Sequence, residues 1–260
     1  MSPPSCADLA PLVLIVDLGP GVRAAVTGRD AAAPATAVGV PGNLGHRRPH
    51  RPADLAAARR SVGAATETDP TAWHLMRQVH GASVAVVGAD TPPGQELRDV
   101  DALVTAEPGR ALVVQTADCV PLLLAGPSTV AAVHAGRVGF ALGVVDATLR
   151  ELARLGDPPE QLRAAVGPAI GGCCYEVPAE MRDEVASTAP EVAAETSWGT
   201  PALDLPAGVV AALRVAGVPT IERIGGCTRC DPGERWFSHR GDPATGRQFG
   251  LIVRGSAVAA

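Results

Sequence analysis

Leu112-Val-Val-Gln-Thr-Ala-Asp-Cys-Val-Pro-Leu-Leu-Leu-Ala125, followed shortly by Val130-Ala-Ala-Val-His-Ala-Gly136, decides the fold class. Residues 112–116, 120–125 and 130–133 are apolar runs bounded by a kink or turn, and each is too short for a buried helix. They read as three strands, with the kink at Asp118-Cys119. Residues 143–155 carry Val144, Val145, Leu149 and Leu152 at helical spacing, the stripe of an amphipathic helix. Working outward, 12–16, 83–87, 163–166, 221–224 and 249–253 read as further strands. Helices are expected over 53–62, 177–186 and 206–215, the last stopped by Gly217. Residues 28–54, rich in Gly, Pro, Ala and Arg, read as an irregular loop. Strands and helices interleave without a strict βαβ rhythm. This predicts a single α/β (α+β) domain with mixed sheets. Neither a repeat nor a linker divides residues 1–260.

The chain has 22 basic and 27 acidic residues, a formal net charge of −5, and every basic residue is arginine. Without lysine there is no Walker phosphate loop and no Schiff-base or pyridoxal-phosphate anchor. The acidic balance and sparse aromatics exclude a nucleic-acid partner. Six cysteines in 260 residues do not make a disulfide scaffold. Residues 1–10 lack a basic head and carry Asp8, so they do not read as a secretory leader. No apolar run is long enough to cross a bilayer. A cytoplasmic protein with reduced thiols and no membrane partner is expected.

Three strand-end motifs carry potential chemistry: Gln78-Val-His-Gly81, Thr116-Ala-Asp-Cys119 and Val133-His-Ala-Gly136. His80, Cys119 and His134 form a two-histidine, one-cysteine set. Three such ligands with a fourth position open mark a catalytic zinc site. Copper is the second option, since imidazole and thiolate suit it too. The same residues also read as a Cys-His nucleophile pair, with Asp118 or Gln78 as orienter or oxyanion donor. Against both stands a buried apolar thiol with histidines capping strand ends. A trinuclear copper centre needs about eight histidines in His-x-His pairs. This chain has six, none so paired. Cys227-Thr-Arg-Cys230 and Cys173-Cys174 could close a structural zinc, but adjacent ligands fit a tetrahedron awkwardly, and a buried or turn-stabilising thiol cluster is the expectation. Anion binding must fall to arginine, with Arg137, Arg240 and Arg247 as the candidates, Arg137 foremost because it lies so near His134.

These motifs, with Gly167-Pro-Ala-Ile-Gly171, Cys173-Cys-Tyr-Glu-Val177, Phe237-Ser-His-Arg240 and Thr245-Gly-Arg247, occur in the same order as in the YfiH/YlmD family. That family is also called the polyphenol-oxidase or laccase-domain family and includes proteins called peptidoglycan editing factor. The resemblance spans about residues 26–253. It implies a four-layer α-β-β-α sandwich in one domain, with zinc on His80, Cys119 and His134. It implies phosphorolysis of adenosine, inosine, guanosine and methylthioadenosine, and deamination of adenosine, so that purine nucleoside and phosphate are the expected partners. Arg29 and Asn43 match family positions near the active site, and Arg137 and Arg29 are assigned to phosphate. The family's alternatives are a muropeptide-editing hydrolase and a non-catalytic cell-division accessory protein. Where the family commonly has His-Ala-Gly-Trp-Arg, this chain has His134-Ala-Gly-Arg-Val138, a departure that bears on substrate preference.

Overall fold

The run 112–125 folds as two strands in different sheets. The computed structural model describes residues 11–29, 42–48 and 50–255. In it, Leu112–Thr116 lies at the edge of a four-stranded sheet, whose order is Leu12–Val16, Val22–Gly28, Gln248–Arg254, Leu112–Thr116. Val120–Ala125 is central in a six-stranded sheet, ordered Thr220–Arg223, Arg163–Val166, Val120–Ala125, Val130–Ala135, Ala102–Thr105, Val84–Val86. Residues 117–119 therefore step from one sheet to the other, with Asp118 at a positive φ of 89°. The kink read in the sequence is this crossover.

Alternation along the buried strand Val120–Ala125 builds the layers. Leu123 and Ala125 point between the sheets, where they meet Val26, Leu103, Val114, Ala165 and Ile252. Val120, Leu122 and Leu124 point the other way, onto the helices Val144–Arg154 and Leu205–Val215 through Val145, Leu149, Leu152, Val209 and Leu213. The outer face of the four-stranded sheet is covered by the helix Pro52–Thr66, whose Ala58 and Val62 pack with Trp73, Val113, Phe249 and Leu251. The result is the expected α-β-β-α sandwich. Both sheets are mainly antiparallel. Two parallel pairs, Arg163–Val166 with Thr220–Arg223 and Val84–Val86 with Ala102–Thr105, make the larger one mixed.

Helix ends follow their sequences. Val144–Arg154 starts after Gly143, whose positive φ of 82° suits glycine. Leu205–Val215 is capped by the Asp204 side chain on the Ala207 amide. Several elements escape a hydropathy reading: Val22–Gly28, Ala102–Thr105, the short pairs Leu75–Arg77 with Glu96–Arg98 and Ala193–Glu195 with Pro201–Leu203, and the helix Arg137–Ala141. The expectations for residues 1–10, and for 30–41 and 49 of the loop 28–54, lie outside the described residues.

Candidate active site and metal centre

The crossover puts Cys119 at the mouth of a hairpin. Val120–Ala125 pairs antiparallel with Val130–Ala135 in the register Val120↔Ala135 and Pro121↔His134, so a 15-residue separation becomes adjacency. His80 comes from the loop ahead of Val84–Val86, at a positive φ of 60°. Its ring stands edge-on to His134, centroids 4.8 Å apart, and its Nε2 is 3.7 Å from Cys119 Sγ. The ligand atoms of His80, Cys119 and His134 all lie within 4.8 Å of one another. Gly136 keeps this space open, because a Cβ there would sit 2.7 Å from His80 Cδ2.

Asp101, which sequence reasoning missed, organises the centre. It is fully buried at the head of Ala102–Thr105. Its Oδ1 meets His134 Nδ1 at 2.7 Å and accepts the His80 amide at 3.0 Å. Its Oδ2 accepts the amides of Val79 and Gly81 at 3.3 and 2.7 Å. One carboxylate thus fixes the His80 loop and the His134 ring together, leaving His134 Nε2 to face Cys119. A carboxylate behind a histidine is the usual partner of a metal-binding imidazole. Burial opposes ionisation of both residues, but the mutual charge of Cys119 and His134, with hydrogen bonds from the neighbouring imidazole and carboxylate, prevails. The Cys119 thiol is held below its ordinary value and His134 above its own. Two imidazoles and a ready thiolate, converging without another partner between them, fit zinc.

The other predicted residues take varied places. Gln78 lines the cavity, yet both ends of its amide are engaged by the Gln115 backbone at 2.8 and 2.9 Å. Asp118 turns its carboxylate towards Thr228 Oγ1 and the Arg240 amide, at 2.5 and 2.6 Å. The carboxylate in contact with the His134 ring is that of Asp101. Asn43 is buried and accepts the amides of Gly45 and Arg247, which shapes the wall rather than lining it. Arg29 lines a separate depression with Thr228, Asp231 and Trp236.

Two compartments meet at the Cys-His centre and share His80, Ala117, Cys119 and His239. One, of about 450 Å³, is lined by Arg47, Arg48 and Arg247 with Gln78 and Thr116. The other, of about 270 Å³, has Val138, Ile170, Tyr175 and Leu205 as walls, with Arg137 and Arg240 beside them. The Arg240 guanidinium stacks 5.2 Å from the Tyr175 ring centre. Arg247 was one of the arginines named for anion binding, whereas His239 and Tyr175 were legible only as members of the ordered motifs. Arg47 and Arg48 lay in the stretch read as an irregular loop.

Residues 23–255 match the family described as multi-copper polyphenol oxidoreductase laccase. A purine nucleoside phosphorylase of Streptomyces coelicolor is 48% identical over 213 residues, covering 81% of this chain and 86% of that protein. One of Mycobacterium tuberculosis is 44% identical over 212 residues, covering 81% and 83%. Among solved structures, YlmD of Geobacillus stearothermophilus superposes with a TM-score of 0.81 at 30% identity, over 91% of this chain and 93% of that one. YfiH of Bacillus licheniformis gives 0.80 at 27% identity, over 94% and 97%.

Proposed function

We propose that this chain, which belongs to the multi-copper polyphenol oxidoreductase laccase family, is a zinc-dependent purine nucleoside phosphorylase. Its substrates are adenosine, inosine, guanosine and methylthioadenosine, and the same centre deaminates adenosine. The catalytic unit is residues 26–253, acting in the cytoplasm. One observation carries the reading: a Cys-His centre sits where a guanidinium-lined compartment meets one with apolar and aromatic walls. The names of the relatives reported above support it.

Phosphorolysis needs a phosphate oxygen on one side of the ribose C1′ and the purine on the other. Arg47, Arg48 and Arg247 suit the anion, because guanidinium offers paired donors to phosphate. Arg48 has a buried Nε without a protein partner. This revises the sequence-based assignment, since Arg29 is absent from both compartments and Arg137 lines the other one. The purine then lies against Tyr175, Ile170 and Leu205, with Arg137 and Arg240 facing its polar edge. As the C1′–N9 bond breaks, its electron pair passes to the base. His239, which lines both compartments, is placed to give the base a proton. Zinc held by His80, Cys119 and His134 would supply Lewis acidity where the compartments meet, both for the charge on the leaving base and for the water that replaces an exocyclic amino group as ammonia leaves. Asp101 holds His134 in one tautomer throughout.

The family description raises a multicopper oxidase, and the donor count weighs against it. The metal-capable groups among the described residues are His80-Cys119-His134 and a cluster of four cysteines. Among the described residues no second histidine cluster accompanies the first.

Steady-state kinetics of Arg48→Ala test the reading. Losing one charge-assisted contact costs about 1.5–3 kcal/mol, so the KM for phosphate in inosine cleavage rises by about one to two decades. Adenosine deamination, which uses no phosphate, changes little. If Arg137→Ala raises the phosphate KM and Arg48→Ala does not, the compartments are exchanged. If no phosphate-dependent cleavage exists in the parent enzyme, the reading fails.

A further inference from the structure

Cys173, Cys174, Cys227 and Cys230 stand outside the Cys-His centre, and their four sulfurs lie within 4.8 Å of one another. We propose that they hold a second metal ion, a structural zinc in a tetrathiolate site, which clamps together the two loops carrying Tyr175 and Arg240. A tetrahedral site with Zn–S bonds of about 2.3 Å has S···S edges of about 3.8 Å. Cys173 Sγ and Cys230 Sγ are already 3.7 Å apart.

The sequence argued against such a site because residues 173 and 174 are adjacent. That objection holds for a strand, where neighbouring side chains point to opposite faces. Here the pair lies in a turn, with the amides of Cys174 and Tyr175 both directed at the Gly171 carbonyl, at 3.0 and 2.9 Å. Both sulfurs can then face one point. Cys227 Sγ accepts the Gly171 amide at 3.3 Å. Backbone N–H groups directed at sulfur favour the anionic ligand form. The thiols are unbridged. Binding a divalent ion exchanges their S–H bonds for four S–metal bonds and releases the protons to solvent, so no oxidant is needed.

The cluster ties distant parts of the chain to the active-site wall. Ala169 bridges Cys227, and Thr228 donates its amide to the Ala169 carbonyl at 3.0 Å. Thr228 and Arg240 both bind the Asp118 carboxylate, one residue from Cys119. Arg240 in turn donates to the Glu176 carbonyl at 3.0 Å, and so returns to the first loop. A metal among the four sulfurs fixes the loop separation on which Tyr175 and Arg240 depend. This assignment stands independently of the nucleoside chemistry.

The test is metal analysis of the full chain purified with zinc under reducing conditions. About two zinc ions per chain are expected in the parent, and about one in each of Cys119→Ala and Cys227→Ser. In Cys119→Ala, cobalt(II) replacing zinc should give the intense visible absorption of a thiolate-rich tetrahedral site. This arm leaves the cluster untouched and stands even if Cys227→Ser fails to fold. Metal retained in Cys119→Ala and lost in Cys227→Ser supports the cluster even if the parent binds about one zinc, an outcome that would remove the metal from the Cys-His centre alone. A Cys119→Ala protein without metal overturns the proposal. So does a thiol titration in denaturant and chelator that finds two of the six cysteines of the chain missing as a disulfide.

Discussion

Asp101 is the residue on which the centre turns, and its part is set by folding rather than by any local pattern. It accepts three backbone amides from the His80 loop while engaging His134. His80, Cys119 and His134 were legible because soft ligands beside small residues at strand ends leave room for a metal. Asp101 was not, because it precedes a four-residue strand that hydropathy alone does not mark. Asp118 looked like the orienting carboxylate by proximity in sequence, but its positive φ accompanies a side chain turned to Thr228 and the Arg240 amide. Asp101→Asn preserves volume but replaces an acceptor oxygen with an amide group facing donors. Zinc affinity at the Cys-His centre should fall by about 10–100-fold. Competition against a chelator in the Cys227→Ser background isolates this site, and unchanged affinity contradicts the role given to Asp101.

At the scale of elements, the long apolar strands and amphipathic helices were readable because burial on one or both faces writes itself into the sequence. The strand 112–116, the hairpin 120–135 and the helices around 144–154 and 205–215 all belong to this class. Three-residue strands such as Leu75–Arg77 are defined by their partners, so no single-chain periodicity announces them. His74 shows how such a segment is docked. Its amide donates to the Ala111 carbonyl and its own carbonyl accepts the Val113 amide, both at 2.9 Å. Its ring is fully buried, and neither nitrogen has a partner. Burial, helped by the charge of Arg110, holds its pKa below the ordinary 6.5. The unfolded chain therefore takes up this proton first, and stability falls as pH drops below about 6.5, by up to about 1.4 kcal/mol per pH unit. Thermal unfolding between pH 8 and 5 should show that slope. His74→Leu should flatten it without abolishing it, because burial depresses His46 in the same direction. An unaltered slope in the variant contradicts this account.

Across the whole molecule, the sandwich matters because its two sheets are joined at Ala117-Asp118-Cys119, and every loop of the candidate site converges there. The layer order and the identity of the metal-capable triad followed from ordered motifs. The convergence of 169–176 with 227–240, and the separation of Arg29 from the cavity, did not, since both depend on contacts between residues far apart in the chain. The two compartments on either side of Cys119 are the physical basis for assigning cleavage of a nucleoside by phosphate. The most direct test follows both products of inosine cleavage by the zinc-loaded protein, with and without phosphate, beside Cys119→Ala. The account predicts hypoxanthine and ribose 1-phosphate in equal amounts, no cleavage when phosphate is omitted, and background rates in Cys119→Ala. Cleavage that ignores phosphate, full activity in Cys119→Ala, or inertness towards inosine with turnover of a muropeptide would contradict it.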